Sequence, residues 1–144
     1  MDLGLTDRVA IVGGGSKGIG RAAASMLAAE GARVVIAARG LEALNHAATA
    51  IRDATGAGVL PVQCDMASET DIKELVARTI EAFGAIDIVV NNAGGPPPGR
   101  FDAHDDAAWQ QAFALNLMSV VRLTRQALPY LKQSDQPRVA NHLP

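Results

Sequence analysis

The stretch RVAIVGGGSKGIG, residues 8–20, joins a short apolar run to a glycine-rich segment. Arg8 to Val12 have the composition of a buried β-strand, which the glycines Gly13 to Gly15 would end. Ile19 to Glu30 are rich in alanine, and Gly31 follows where a helix C-cap is expected. The apolar residues at helical spacing in this segment are Ile19, Ala23, Met26 and Leu27. The stretch therefore predicts a strand, a tight glycine turn and a helix in succession.

Strand-like and helix-like segments alternate along the rest of the chain. Further strands are predicted at Arg33–Ala37, Gly58–Gln63 and Asp87–Asn91. Further helices are predicted at Leu41–Thr55, Glu69–Phe83 and, as a long fourth helix, about Asp106–Lys132. This order is typical of right-handed βαβ units. We expect an α/β fold, a doubly wound parallel sheet with strand order 3-2-1-4. Whether Arg138–Asn141 adds a fifth strand stays open.

Composition excludes several classes of function. The chain has 144 residues, 13 Lys+Arg against 15 Asp+Glu and only 3% aromatic residues, which argues against nucleic-acid binding. No apolar run reaches the about 18–20 residues of a membrane span. The single cysteine, Cys64, excludes a disulfide framework, and His46, His104 and His142 lack the spacing of metal ligands. We expect a cytoplasmic protein with no membrane or nucleic-acid partner and no metal.

The glycine loop between the first strand and the first helix predicts a phosphate-binding site. Glycines allow a sharp turn and close approach of the backbone to a pyrophosphate, and the helix N-terminus offers free N–H groups. The spacing is G-x-x-x-G-x-G, one residue longer than the commonest dinucleotide fingerprint. A glycine turn without a ligand is the alternative. The candidate cofactor-binding residues of the loop are Gly14, Ser16, Lys17, Gly18, Ile19 and Gly20.

The end of the second strand indicates which dinucleotide is bound. Sites for NAD usually place an acidic residue there, whereas this chain has Arg39. Arg39 can bind a 2′-phosphate through paired hydrogen bonds, and Lys17 adds a second positive charge. We therefore expect NADP(H) in preference to NAD(H). The alternatives are that Arg39 is a solvated loop residue, or that the loop belongs to a methyltransferase, whose second strand usually ends in an acidic residue.

Four motifs together resemble the classical short-chain dehydrogenase/reductase family. They are the loop at Gly14, Gly18 and Gly20, the segment Cys64-Asp65-Met66, the segment Asn91-Asn92-Ala93-Gly94, and the segment Leu115-Asn116-Leu117. Their order and spacing match those of the family across essentially the whole chain. Within the family, the sequence most resembles reductases of the 3-oxoacyl-acyl-carrier-protein type. One departure is Gly13, where the family usually has threonine.

The resemblance implies a role for each matching residue. Asp65 would meet the adenine ring of the cofactor, with Met66 beside it. Asn91 and Asn92 would brace the strand and the backbone on the nicotinamide side. Asn91, Ala93 and Gly94 are the candidate cofactor-binding residues of this segment. Asn116 would hold a water of a proton relay and is the one catalytic residue expected here. Otherwise Asp65 would cap a helix, Asn91 would form a turn, and Asn116 would be a tolerated polar residue.

The catalytic serine, tyrosine and lysine that the resemblance implies have no counterpart in these residues. The only tyrosine, Tyr130, has Ser134 four residues on, and Lys132 points elsewhere around a helix. We expect Tyr130 to be structural. Residues 1–144 would then be the N-terminal part of one interrupted Rossmann domain, inactive by itself, from an enzyme acting on small carbonyl or alcohol substrates.

An alternative function is a non-catalytic dinucleotide-binding or association module. Full-length relatives assemble through their fourth and fifth helices, so the resemblance implies a homo-oligomer formed through the fourth helix. The apolar residues expected on its exposed stripe are Trp109, Phe113, Leu117 and Val120.

Overall fold

A computed structural model describes residues 1–92, 94, 95 and 97–142 as a parallel five-stranded sheet with helices on both faces. The strands are β1 (Val9–Gly13), β2 (Arg33–Ala38), β3 (Val59–Gln63), β4 (Ile88–Asn91) and β5 (Arg138–Asn141). The helices are α1 (Gly18–Ala29), α2 (Leu41–Thr55), α3 (Glu69–Phe83), α4 (Asp106–Phe113) and α5 (Ser119–Leu131). The predicted doubly wound α/β fold is confirmed. No helix in the described ranges is long and apolar enough to cross a membrane.

The strand order is β3-β2-β1-β4-β5, so Arg138–Asn141 does form a fifth strand. β5 pairs with β4 from Ile88 opposite Arg138 to Asn91 opposite Asn141. The chain moves outward in one direction from β1 to β3 and in the other from β4 to β5. This reversal between β1 and β4 leaves a crevice at the carboxyl ends of the strands, where α/β folds bind ligands.

Capping residues set the helix boundaries that the sequence predicted best. Ser68 accepts a hydrogen bond from the Asp71 backbone N–H and so caps the start of α3. Gly56 and Gly84 follow α2 and α3 in the left-handed conformation, with φ of +71° and +75°. Both helices therefore have the predicted bounds.

Each face of the sheet buries its own apolar cluster. On one face, Ile11, Val35 and Val89 pack against α3 and α5. On the other, Val12, Val34 and Ile36 pack against α1 and α2. The central strands are apolar on both faces for this reason, as expected of a parallel sheet covered on both sides.

The buried face of α1 consists of small residues. Ile19 and Met26 are 59% and 71% exposed, whereas α1 buries Gly20, Ala24 and Ala28. These three residues recur every four positions and are small, so α1 lies close to the sheet. Ile19 and Met26 fall on the solvent side because Gly20 is the residue that contacts the glycine loop, whereas Leu27 packs partly buried against the core.

The predicted fourth helix is α4 and α5 joined by a π-helical turn, Ala114–Met118. Val120, which the sequence predicts on the exposed stripe, is half-buried instead. The exposed large apolar residues along the helix are Trp109, Phe113, Leu117, Val121 and Leu128. The π-turn explains this correction, because its wider winding rotates the residues that follow it.

Candidate dinucleotide-binding site

A cleft of about 650 Å³ lies beyond the carboxyl ends of β1, β2 and β3 and reaches the loop after β4. The glycine loop borders it through Gly14, Ser16, Lys17 and Gly18. Residues after the other strands complete its walls: Arg39, Gly40, Cys64, Met66, Asn92, Gly94 and Gly95. Segments far apart in sequence thus meet at the switch point of the sheet, where the strand order reverses between β1 and β4. The volume of the cleft lies within the range of small-molecule sites.

Gly14 and Gly20 give the loop its shape by close packing. A Cβ on Gly14 would overlap the Asn92 carbonyl oxygen, and a Cβ on Gly20 would overlap the Gly14 carbonyl oxygen. The Gly15 N–H donates to the Ala37 carbonyl at 3.1 Å, which holds the loop against β2. These glycines therefore fix the loop and the start of α1 in their relative positions.

Gly18 has a different role, because no atom lies within 4 Å of where its Cβ would be. Its φ is +57°, and it borders the cleft as the first residue of α1. The first turn of α1 contains no acidic residue, whereas those of α2 and α3 do. The positive end of the α1 dipole thus faces the cleft without a compensating carboxylate, which suits an anion.

Among the described residues, the charged side chains that border the cleft are both cationic, Lys17 and Arg39. Both are exposed, and neither forms a salt bridge within the described ranges. Gln63 donates its side-chain N–H to the Arg39 carbonyl at 2.9 Å and so holds the backbone at the end of β2. The cleft therefore carries positive charge on two sides.

The segment after β3 places Cys64 and Met66 at the cleft, with Asp65 turned into local structure. Asp65 accepts a hydrogen bond from the Ala67 backbone N–H at 2.9 Å, an Asx turn and not a helix cap. Cys64 is fully buried, and this burial, with the charges of Asp71 and Asp65, raises the pKa of its thiol to about 12. At neutral pH Cys64 is a thiol and a poor nucleophile.

Two asparagines at the end of β4, Asn91 within the strand and Asn92 just after it, hold neighbouring segments. Asn91 is buried and donates from Nδ2 to Asn141 Oδ1 at 2.8 Å and to Thr124 Oγ1 at 3.4 Å. Asn92 donates from Nδ2 to the Gly13 carbonyl at 3.3 Å and borders the cleft. Asn91 thus connects β4 to β5 and α5, while Asn92 connects β4 to the glycine loop.

Asn116 lies in the π-helical turn. Its Nδ2 donates to the Ala112 carbonyl at 2.9 Å, while its buried Oδ1 has no partner among the described residues. Leu115, the adjacent residue, borders the cleft. A buried unpartnered acceptor is uncommon and calls for a water or another donor. π-turns of this kind are frequent at functional sites.

The structure brings most, but not all, of the predicted residues to the cleft wall. Gly14, Ser16, Lys17, Gly18, Arg39, Met66 and Gly94 border it, whereas Ile19, Gly20, Asp65, Asn91 and Asn116 do not. Ala93 lies outside the described residues. Leu115 and Ala43 border the cleft but were not among the predicted site residues. Leu115 belongs to the motif Leu115-Asn116-Leu117, in which the resemblance implies a role only for Asn116, and Ala43 lies in none of the four motifs. No group of residues with metal-ligating spacing occurs in the described ranges.

This fold and cleft define a doubly wound α/β protein with a cleft at the carboxyl ends of its strands, and the comparisons with known proteins define the family. Residues 8–142 match the family model described as short chain dehydrogenase. The chain belongs to the short-chain dehydrogenase family.

The chain is similar to relatives with several activities. It is 37% identical over 137 residues to the granaticin polyketide synthase putative ketoacyl reductase 2 of Streptomyces violaceoruber, covering 92% of this chain and 53% of that one. L-sorbose reductase from Gluconobacter frateurii, solved with NADPH and L-sorbose, superimposes with a TM-score of 0.94 at 34% identity, covering 98% of this chain and 54% of that one. A 7α-hydroxysteroid dehydrogenase solved with NADH superimposes with a TM-score of 0.90 at 31% identity, covering 95% and 53%. The chain spans about half the length of the curated relatives it matches.

Proposed function

We propose that these residues form the NADP(H)-binding part of a dehydrogenase/reductase that transfers hydride between NADP(H) and a small carbonyl or alcohol substrate. The observation that carries the proposal is the cationic cleft at the switch point, with Lys17 and Arg39 on its walls. Family membership supports a nicotinamide dinucleotide as the ligand. Similar proteins have been solved with NADPH and with NADH, so the preference rests on the chemistry of this cleft.

The residues present fit such a cofactor. Ser16, Gly18 and the first turn of α1 would hold the pyrophosphate, since the space beside Gly18 is open and its backbone accessible. Arg39 would bind the 2′-phosphate, because a guanidinium can donate two parallel hydrogen bonds to it. Asp65 and Met66 would lie at the adenine end, and Ala93 and Gly94 at the nicotinamide end. When bound, the nicotinamide ring supplies or accepts the hydride.

Asn116 is the proposed contributor to proton transfer. Its unpartnered Oδ1 would accept a hydrogen bond from an ordered water, while the bond from Nδ2 to Ala112 fixes the amide orientation. This arrangement would position a water without supplying an acid or base. The chain alone should therefore bind the cofactor without turning over substrate.

The position of Tyr130, the only tyrosine, supports the same proposal. Tyr130 borders a small cavity with Arg8 and Asp87, at the amino ends of the strands and thus at the opposite end of the sheet from the cleft. It also packs partly buried against the core. A general acid must reach the group that it protonates, which Tyr130 does not from this place.

The test of cofactor choice is the ratio of NADPH to NADH affinity in the native chain and in Arg39→Asp. We expect Arg39→Asp to weaken NADPH binding by about tenfold or more, as for loss of a charged hydrogen bond, and to leave NADH binding unchanged or improved. Arg78→Asp is the matched control, because Arg78 is exposed on α3 and does not border the cleft. An unchanged ratio in Arg39→Asp would show that Arg39 does not bind the phosphate.

Self-association through the α4–α5 face is the remaining part of the proposal. Phe113 and Leu117 are 58% and 51% exposed, and Val121 continues the same face. Side chains of this size on one face form an apolar patch whose exposure to water is unfavourable. The face would pair with that of a second copy of the chain, whether or not the assembly is catalytic.

A further inference from the structure

A second cavity, of about 400 Å³, lies beside the dinucleotide cleft and is bounded by the loop through Pro97, Pro98 and Gly99 and by α4. Pro97, Pro98 and Phe101 form one side, and Trp109 and Ala112 form the other. Phe101 and Trp109 meet edge to face, with ring centroids 6.0 Å apart and planes inclined by 62°. Trp109, which the sequence predicts on the exposed apolar stripe of the fourth helix, is 45% exposed and also forms part of the wall of this aromatic pocket.

The aromatic pocket adjoins the cleft through two segments of chain. Gly94 and Gly95 border the cleft, and the loop that they begin continues into the pocket wall at Pro97. On the helix, Leu115 borders the cleft and Ala112 borders the pocket, about 4.5 Å apart along the helix axis. A molecule in the pocket would therefore lie next to a dinucleotide in the cleft.

The pocket walls favour a flat ring. Two prolines and two aromatic side chains are rigid and present broad apolar surfaces, which suit ring stacking and edge contacts. His104 and Trp109 are the lining residues, among those described, whose rings carry hydrogen-bonding nitrogens, and the imidazole can both donate and accept. A Cβ on Gly99 would lie 2.5 Å from His104 Nε2, so the glycine allows the imidazole to pack against the loop.

The charges around the pocket disfavour an anion. Asp102, Asp105 and Asp106 are exposed on the segment that forms one end of the pocket. Arg100, the cation on the same segment, pairs with Asp102 at 3.8 Å. Asp105 accepts a hydrogen bond from the Ala108 N–H at 2.9 Å as the cap of α4, which keeps its carboxylate in place. A carboxylate or phosphate ligand would meet like charge there.

The geometry points to the aromatic pocket as the substrate site, with a neutral carbonyl compound of one or two rings as the substrate class. This inference rests on the proposed cofactor function, because the pocket becomes a substrate site only beside a bound nicotinamide. One or two rings match a volume near the lower end of small-molecule pockets. His104 would donate a hydrogen bond to a polar substituent of the ring system.

Trp109 provides a direct test, since it is the only tryptophan and gives one indole N–H resonance in an ¹H–¹⁵N NMR spectrum. We expect tetralone, a neutral bicyclic ketone, to shift this resonance saturably. Tetralin carboxylate, of the same ring system, should bind about tenfold more weakly or worse, because its charge is desolvated near aspartates. Equal or tighter binding of the carboxylate would overturn the neutral class.

A matched pair of variants tests the location. Ala108→Phe places a ring in the pocket wall and should weaken tetralone binding about tenfold or more. Ala107→Phe makes the same change at an exposed, non-lining position and should leave it unchanged. An unshifted indole, or equal binding by both variants, would overturn the pocket assignment. NADPH binding measured separately on each protein reports folding, and its loss in the native chain would refute the cofactor function independently of the ring-binding result.

Discussion

The most specific structural prediction concerns Gly14→Ala, with Gly84→Ala as its matched control. Both glycines have positive φ, +63° and +75°, so an alanine at either costs about 1–2 kcal/mol for the left-handed conformation. The space around Gly84 is open, whereas a Cβ on Gly14 would overlap the Asn92 carbonyl oxygen and lie 2.9 Å from Asn92 Nδ2. Backbone atoms of Asn92, just after β4, would have to move, and overpacking of this kind costs about 1–3 kcal/mol more.

The measurement is urea unfolding of both variants, with NADPH titration of each. Gly84→Ala should lose about 1–2 kcal/mol of unfolding free energy and keep native NADPH binding. Gly14→Ala should lose about 2–5 kcal/mol and bind NADPH at least tenfold more weakly, because the loop shifts at the cleft wall. Equal stability and equal binding of the two variants would refute the claim that contact with Asn92 shapes the loop.

Three further predictions test the core, the sheet and the assembly. The raised pKa of Cys64 means that its contribution to stability is fully present below pH 9.0 and is lost as pH rises towards about 12. The unfolding free energy should therefore fall over that window in the native chain and fall less in Cys64→Ala. A thiol reagent at pH 7 should react rapidly with Cys64 only after denaturation. Asp87→Ala should lose about 2–4 kcal/mol of unfolding free energy in urea, because the buried carboxylate accepts hydrogen bonds from the Val9 N–H and from Ser134 Oγ and lies beside Arg8. Asp135→Ala removes an exposed partner of the same arginine and should lose under about 1 kcal/mol. Similar losses in the two variants would contradict this account. Leu117→Glu should lower the mass measured by sedimentation from that of a dimer to that of a monomer at equal concentration. The control Glu81→Gln, at an exposed position on α3, should leave the mass at that of a dimer. A monomeric native chain would contradict assembly through α4–α5.

Much of the fold follows from local signals in the sequence. Ser68, Gly56 and Gly84 carry capping chemistry that operates within a few residues, so the bounds of α2 and α3 are predictable. The buried face of α1 is not predictable in this way. Hydrophobic periodicity favours burial of Ile19 and Met26. The orientation of α1 is set instead by the close approach of Gly20 to the Gly14 carbonyl oxygen, which a Cβ on Gly20 would prevent.

The site divides along the same line. The glycine loop and the charge of Arg39 just after β2 can be identified directly in the sequence. Leu115 and Trp109 acquire their places from the packing of α4 and the π-turn against a distant loop, and no local pattern encodes that packing. The unpartnered Oδ1 of Asn116 is likewise a property of the folded chain.

The most direct test of the NADP(H)-binding proposal is calorimetric titration of the 144-residue chain with NADPH and, separately, with NADH. We expect saturable one-to-one binding of NADPH, weaker binding of NADH, and no oxidation of bound NADPH when carbonyl compounds are added. A folded chain that releases no saturable heat with either dinucleotide would contradict the assignment of the cleft. Steady NADPH oxidation by the chain alone would contradict its proposed inactivity.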